Sequence, residues 1–124
     1  MNDQPSEKNR PVIDHAIALD HLEGDQELLQ EIHAVFREEG PRQYRQLLAA
    51  LAQSERERSA RHAHTLKGMA GQIGAFPLEE ACRYLEATLL AESGEPDPPS
   101  IRRLARLLDE VLVELSSPGE LPTD

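Results

Sequence analysis

His64 is the residue of this chain whose type and setting best suit covalent chemistry. It lies in the stretch from Ser54 to Ala75, S-E-R-E-R-S-A-R-H-A-H-T-L-K-G-M-A-G-Q-I-G-A. An unperturbed histidine titrates near ~6.5, so at neutral pH its imidazole is mostly uncharged and keeps a nucleophilic lone pair. Lys67 follows one helical turn later and brings a compact positive charge to the same spot. Gly68 and Gly71 share that face. An exposed helix position normally holds a good helix former, and each glycine there costs about 1 kcal/mol relative to alanine. Their missing side chains leave the imidazole above bare backbone that another protein's surface can approach closely. A nucleophilic nitrogen, a cation and a cleared landing area suit a phosphoryl group passed between proteins. The plainer alternative is a surface histidine beside helix-packing glycines.

The element that holds these residues reads as a helix. Ser54 suits its N-cap, with Glu57 placed for the reciprocal bond of a capping box. Gly74 suits the left-handed turn that ends it, and Pro77 then opens another helix. At about 100° per residue, Ala63, Leu66, Ala70 and Ile73 gather on one side. His64 falls on the opposite side, near Glu57, Ala60, Arg61, Lys67, Gly68 and Gly71.

Other chemistries fit less well. A helical metal site needs two ligands at i and i+3 or i+4. His62 and His64 are two positions apart and point in opposite directions, so they cannot share a metal. His62 turns toward the helix bundle as a boundary or core histidine with a hydrogen-bond partner. Cys82 lies on an apolar stripe, which makes it a small core residue and not a nucleophile working with His64. G-M-A-G-Q-I-G lacks the preceding strand and the following Lys-Ser/Thr of a nucleotide-binding loop. The chain thus has no evident way to bind ATP and is not expected to phosphorylate itself.

Ala63-His64-Thr65-Leu66-Lys67-Gly68, followed by Gly74 and Ala75, resembles the signature of histidine-containing phosphotransfer (HPt) domains of phosphorelays, roughly A-H-x-L-K-G with a further glycine. The similarity continues through Leu78, Cys82, Leu85 and Glu86 and back to Gly24-Asp25, covering roughly residues 14–115. The resemblance implies a phosphoryl carrier and not an enzyme. His64 would take the group from the phosphoaspartate of a receiver domain and hand it to a response-regulator receiver. The Mg2+ of the transfer would belong to the receiver, with no metal or cofactor held by this chain. Lys67, helped by Arg61, would offset charge on the phosphoryl oxygens, Gly68 would admit the receiver's rim, and Glu86 would hydrogen-bond the imidazole. Gln72 is a weaker candidate for that last task. Ala60, Arg61, Gly71, Gln72 and Ala75 are expected to line the surface a partner touches. The partners implied are a response-regulator receiver, a hybrid sensor kinase, or both. A helical adaptor that docks without being phosphorylated is the alternative, although such a protein has no need of His64, Lys67 and Gly68 together.

Composition bounds the rest. At 124 residues the chain suits one domain with a real core. Only 3% of residues are aromatic, so Leu, Ile, Val and Ala must fill that core, which favours packed helices over a sheet. A formal net charge of −10 repels nucleic acid and anionic membranes. No apolar run approaches the ~20 residues needed to span a bilayer, and no signal peptide opens the chain. A single cysteine fits a reducing compartment, so a cytoplasmic domain is expected. The chain has two lysines, Lys8 and Lys67, against eleven arginines, so a lysine beside His64 departs from its habit.

The patterning predicts an all-α, up-and-down antiparallel four-helix bundle with short extra N-terminal helices, over residues 12–115. Residues 1–11 read as a disordered leader or linker and 116–124 as a flexible tail. Val12 to His21 forms a short helix with Ile13, Ile17 and Leu19 facing inward and His15 and His21 solvated. Asp25 caps the next helix, with Leu28, Leu29, Ile32, Val35 and Phe36 at helical spacing. Gly40-Pro41 ends or sharply kinks it, and Tyr44, Leu47, Leu48 and Leu51 continue in a second segment. The helix from about Pro77 to Ala91 turns Leu78, Ala81, Cys82, Leu85 and Leu89 inward, with Glu79 and Arg83 as a surface pair. Ser93 to Pro99 is a loop. Asp97 or Ser100 caps a final helix whose stripe is Ile101, Leu104, Leu108, Val111, Leu112 and Leu115. The small polar patch around His64 suggests a monomer.

Overall fold

Apolar residues at helical spacing recur five times along the chain, and each recurrence is a helix. The computed structural model describes residues 10–92 and 94–116. Among them are α1 (His15–His21), α2 (Gln26–Ala52), α3 (Arg56–Gln72), α4 (Phe76–Leu90) and α5 (Pro98–Ser116), and no strand. The most extensive contact is between α3 and α4; α2 packs on α3, α4 on α5, α5 returns to α2, and α1 rests on α2. The expected stripes of α3 and α4 are the core: Ala63, Leu66, Ala70 and Ile73 face Leu78, Ala81, Cys82, Leu85 and Leu89, and all nine are buried. Complete burial of a leucine such as Leu66 or Leu85 stabilises the fold by about 2 kcal/mol. Alanines at the α3–α4 seam let the two backbones approach, which is what holds their outer faces in one surface. From α5 come Leu104, Leu108, Val111 and Leu115, together with Leu107, which the expected stripe omitted.

Helix α2 does not end at Gly40-Pro41; it runs unbroken through Pro41. An interior proline costs about 3 kcal/mol, but the first half of α2 puts Phe36, and the second Leu47, into one core. Breaking the helix would withdraw one of them. Gly40 contributes to the fit: a Cβ there would stand 2.9 Å from Cε1 of Phe36. The apolar face is narrower than the pattern suggested, because Leu28, Val35 and Leu48 are exposed. In α1 the inward residue is Ala18, with Ile13 just before the helix, whereas Ile17 is exposed.

Three helices end by the same device. After α1, α2 and α3, a residue of positive φ (Glu23 at 56°, Ser54 at 56° and Gly74 at 79°) turns the chain. The next amide then bonds back to the final helical turn, as in Gly24 N–H to Leu19 O (2.9 Å), Glu55 N–H to Ala50 O (3.0 Å) and Ala75 N–H to Ala70 O (2.9 Å). Ser54 is therefore the left-handed residue that closes α2, not the N-cap of α3. Glu55 takes the N-cap position and makes no side-chain capping bond. Asp14 caps α1 and Asp25 caps α2 through bonds to the amides of Ile17 and Leu28. Asp97 accepts from the Ser100 amide at 3.0 Å and its hydroxyl at 2.8 Å, beginning α5 as expected.

Arg10 pairs with Glu80 at 2.8 Å, and Ser116 belongs to α5. The remainder of the expected leader and tail lies outside the described residues, Pro11 excepted. No helix among the described residues is long and apolar enough to cross a membrane.

Candidate functional site

The outer face of α3 carries His64 because Leu66, Ala63 and Ala70 fix which side of the helix faces the core. Its side chain keeps 64% of its surface in solvent. Across the seam, α4 presents Glu86, whose neighbour Leu85 is locked inward. The Nδ1–H of His64 donates to Glu86 Oε2 at 2.9 Å. Lys67 Nζ donates to Glu86 Oε1 at 2.8 Å. One carboxylate thus bridges the two residues, and it retains only 16% of its exposure.

Burial would raise the pKa of Glu86, but the hydrogen bonds from Lys67 and His64 and the Lys67 charge outweigh it and hold the carboxyl below its ordinary 4.5. The group is an anion at neutral pH and can only accept, so Nδ1 of His64 must carry the proton. The lone pair is left on Nε2, the ring nitrogen facing outward. A depressed folded-state pKa contributes stability above the unfolded value and loses it as pH falls through the folded one. The stability difference between wild type and Glu86→Gln should therefore be full at pH 7, begin to shrink as the pH falls below 4.5, and disappear once the pH lies below the depressed folded-state value. Urea denaturation across that pH series checks it; a difference that grows in acid would contradict the arrangement.

Gly68 is open: a Cβ built there meets nothing within 4 Å. Gly71 is different, since a Cβ there would stand 2.7 Å from Glu79 Oε2. It is a packing glycine against α4, and Glu79 in turn makes the expected pair with Arg83 at 3.5 Å. Arg61 and Gln72 are exposed on the His64 side. Ala60 and Ala75 are not available to a partner, being 4% and 0% exposed. Ala60 lies on the flank of α3 that α4 covers, and Ala75 is sealed into the α3–α4 turn. Lys67 leans toward α4, not over the imidazole as a loose charge, which the sequence spacing alone did not distinguish.

His62 donates from Nδ1 to Gln43 Oε1 at 2.8 Å, the boundary role expected of it. Desolvation and the charges of Arg58 and Arg61 lower its pKa. Burial, with smaller contributions from Glu79 and Glu86, pushes the Cys82 thiol up to about 12, so it is an inert core group. His15 is tied to Glu114 at 2.8 Å and stacks edge-on against His33. No group of three or more His, Cys, Asp or Glu among the described residues is arranged to hold a metal ion.

A family model for the Hpt domain matches residues 27–114. No curated protein and no solved structure matches the chain. The family match runs from the first turn of α2 almost to the end of α5 and contains His64, Lys67, Gly68 and Glu86, and the chain belongs to the Hpt domain family.

Proposed function

We propose that this domain is a phosphoryl carrier: Nε2 of His64 accepts the group from a receiver-domain phosphoaspartate and returns it to the receiver of a response regulator. The observation that carries this reading is the hydrogen bond from His64 Nδ1 to Glu86, which leaves a free lone pair on an exposed nitrogen. In the forward step that lone pair forms the N–P bond while the acyl-phosphate P–O bond breaks and its electrons return to the aspartate carboxylate. The ring then holds positive charge, which the Glu86 carboxylate offsets. The reverse step regenerates the neutral imidazole. Positioning and charge stabilisation dominate such transfers, and the receiver supplies the metal. Family membership supports the phosphorelay setting.

The further details belong to the same proposal. The four long helices α2 to α5 run alternately up and down, which the short α2–α3 and α3–α4 connections favour. The domain works as a monomer in the cytoplasm, where hybrid kinases present their receivers, and it needs no ATP of its own. Incubation with a panel of labelled, phosphorylated receivers tests the proposal: at least one should lose its label to the domain. If none does, the docking-only adaptor replaces the carrier.

Gly68 gives a steric version of the test. Because the site is open, Gly68→Gln is tolerated by the domain, with stability unchanged or raised by up to about 1 kcal/mol. The same side chain obstructs a partner approaching one turn from the imidazole, and transfer should slow about 10²-fold. Stopped-flow or quenched transfer assays beside a thermal melt read both effects.

A further inference from the structure

Lys67 is committed before any phosphoryl group arrives. Its ammonium is held 2.8 Å from Glu86 Oε1 and its side chain is only 23% exposed. Drawing it away toward a phosphoryl group would leave a mostly buried carboxylate short of its cation, a costly exchange.

Arg61 stands on the other flank. Lys67 and Arg61 are each one turn from His64, about 60° to either side of it around α3. Lys67 and Gly71 contact Glu86 and Glu79, so theirs is the α4 side. With Nδ1 turned to Glu86, Nε2 is on the ring edge away from α4. Helical side chains also lean toward the N-terminal turn, which places the imidazole over the turn that carries Arg61.

Arg61 is exposed and makes no ion pair with any described residue, Glu57 on the adjacent turn included. The other arginines of α3 are engaged: Arg56 donates to Ala91 O at 2.7 Å, and Arg58 to Glu55 at 3.0 Å. A guanidinium fork matches two phosphoryl oxygens at once.

We infer that Arg61 is the cation that meets the phosphoryl oxygens on His64, and that Lys67 is a positioning residue acting through Glu86. The inference rests on the carrier reading, and its test does not depend on a receiver. Phosphoramidate, a small phosphoryl donor, is used to phosphorylate the wild type and the variants Arg61→Ala, Arg61→Lys and Lys67→Ala. The phosphohistidine ³¹P resonance, identified by its loss in His64→Gln, is then titrated.

A nearby cation favours the dianion, so Arg61→Ala should raise the phosphoryl titration midpoint by about one unit. Arg61→Lys should recover part of the shift, and Lys67→Ala should leave it in place. In the unphosphorylated domain Lys67→Ala should instead move the His64 Nδ1–H resonance, since Glu86 loses the cation that holds it against the ring. A resonance whose midpoint ignores Arg61→Ala, or moves as far in Lys67→Ala, overturns the assignment alone. A wild type that yields no such resonance overturns the carrier reading together with it.

Discussion

His64→Gln is expected to abolish phosphoryl acceptance from every receiver while leaving receiver binding within about twofold of wild type. Glutamine retains a polar side chain on an exposed helix face, so α3 and its contacts with α4 stay in place. What it removes is the nucleophilic nitrogen. The free Nε2 is the ring position left unprotonated by the bond to Glu86, and His62 offers no substitute, since it is half-buried on the α2 side of α3, beside Gln43. Transfer assays paired with calorimetric binding read the two halves of this expectation. Label reaching the variant would displace the site from His64, whereas binding with no transfer even to the wild type would establish the adaptor.

The second large effect concerns the fold. Gly74 adopts φ of 79°, and a Cβ there would stand 2.5 Å from the carbonyl oxygen of Asp14. Its own carbonyl accepts the Asp14 amide at 2.9 Å. One residue thus ends α3, starts the reversal into α4, and fastens the segment preceding α1 to the α3–α4 turn. Gly74→Ala should cost about 2–4 kcal/mol, of which the left-handed conformation explains only 1–2. Gly24 is the control: its φ is 81° but nothing lies within 4 Å of a built Cβ. Gly24→Ala should lose only the conformational part, about 1 kcal/mol. Equal losses in urea denaturation would mean that the Asp14 contact does not constrain the turn.

The parts of this molecule visible in the sequence are those where local pattern and tertiary packing agree. The α4 stripe from Leu78 to Leu89 and the α3 stripe from Ala63 to Ile73 came out as expected because each helix buries one continuous face. Once those stripes are fixed, so is the outward direction of His64, and the family motif supplied Glu86 as its partner. Misreadings arose where two local signals compete. Ser54 with Glu57 has the form of a capping box, but the short α2–α3 connection needs a left-handed residue, and that demand took Ser54. Pro41 is a strong local stop, yet α2 continues through it and keeps Phe36 and Leu47 in one core.

The site itself was legible in its residues and less so in its pairings. A wheel locates Ala60 near His64, but whether α4 covers that flank depends on how closely alanines let the helices approach. The same seam brings Glu86 within reach of Lys67, and no one-dimensional spacing shows that a lysine is already engaged. Ala75 matched the family motif for reasons of packing in a tight turn, not of contact with a partner.

The most direct test of the mechanism is to find the atom that carries phosphorus. The domain is labelled with ¹⁵N in its imidazoles, phosphorylated by a cognate receiver, and studied by ³¹P–¹⁵N correlation. Phosphorus should couple to Nε2 of His64, with Nδ1 still protonated toward Glu86, and the modification should be lost in acid and persist in alkali. Phosphorus on Nδ1, or an acid-stable phosphoester on a serine or threonine, would contradict it.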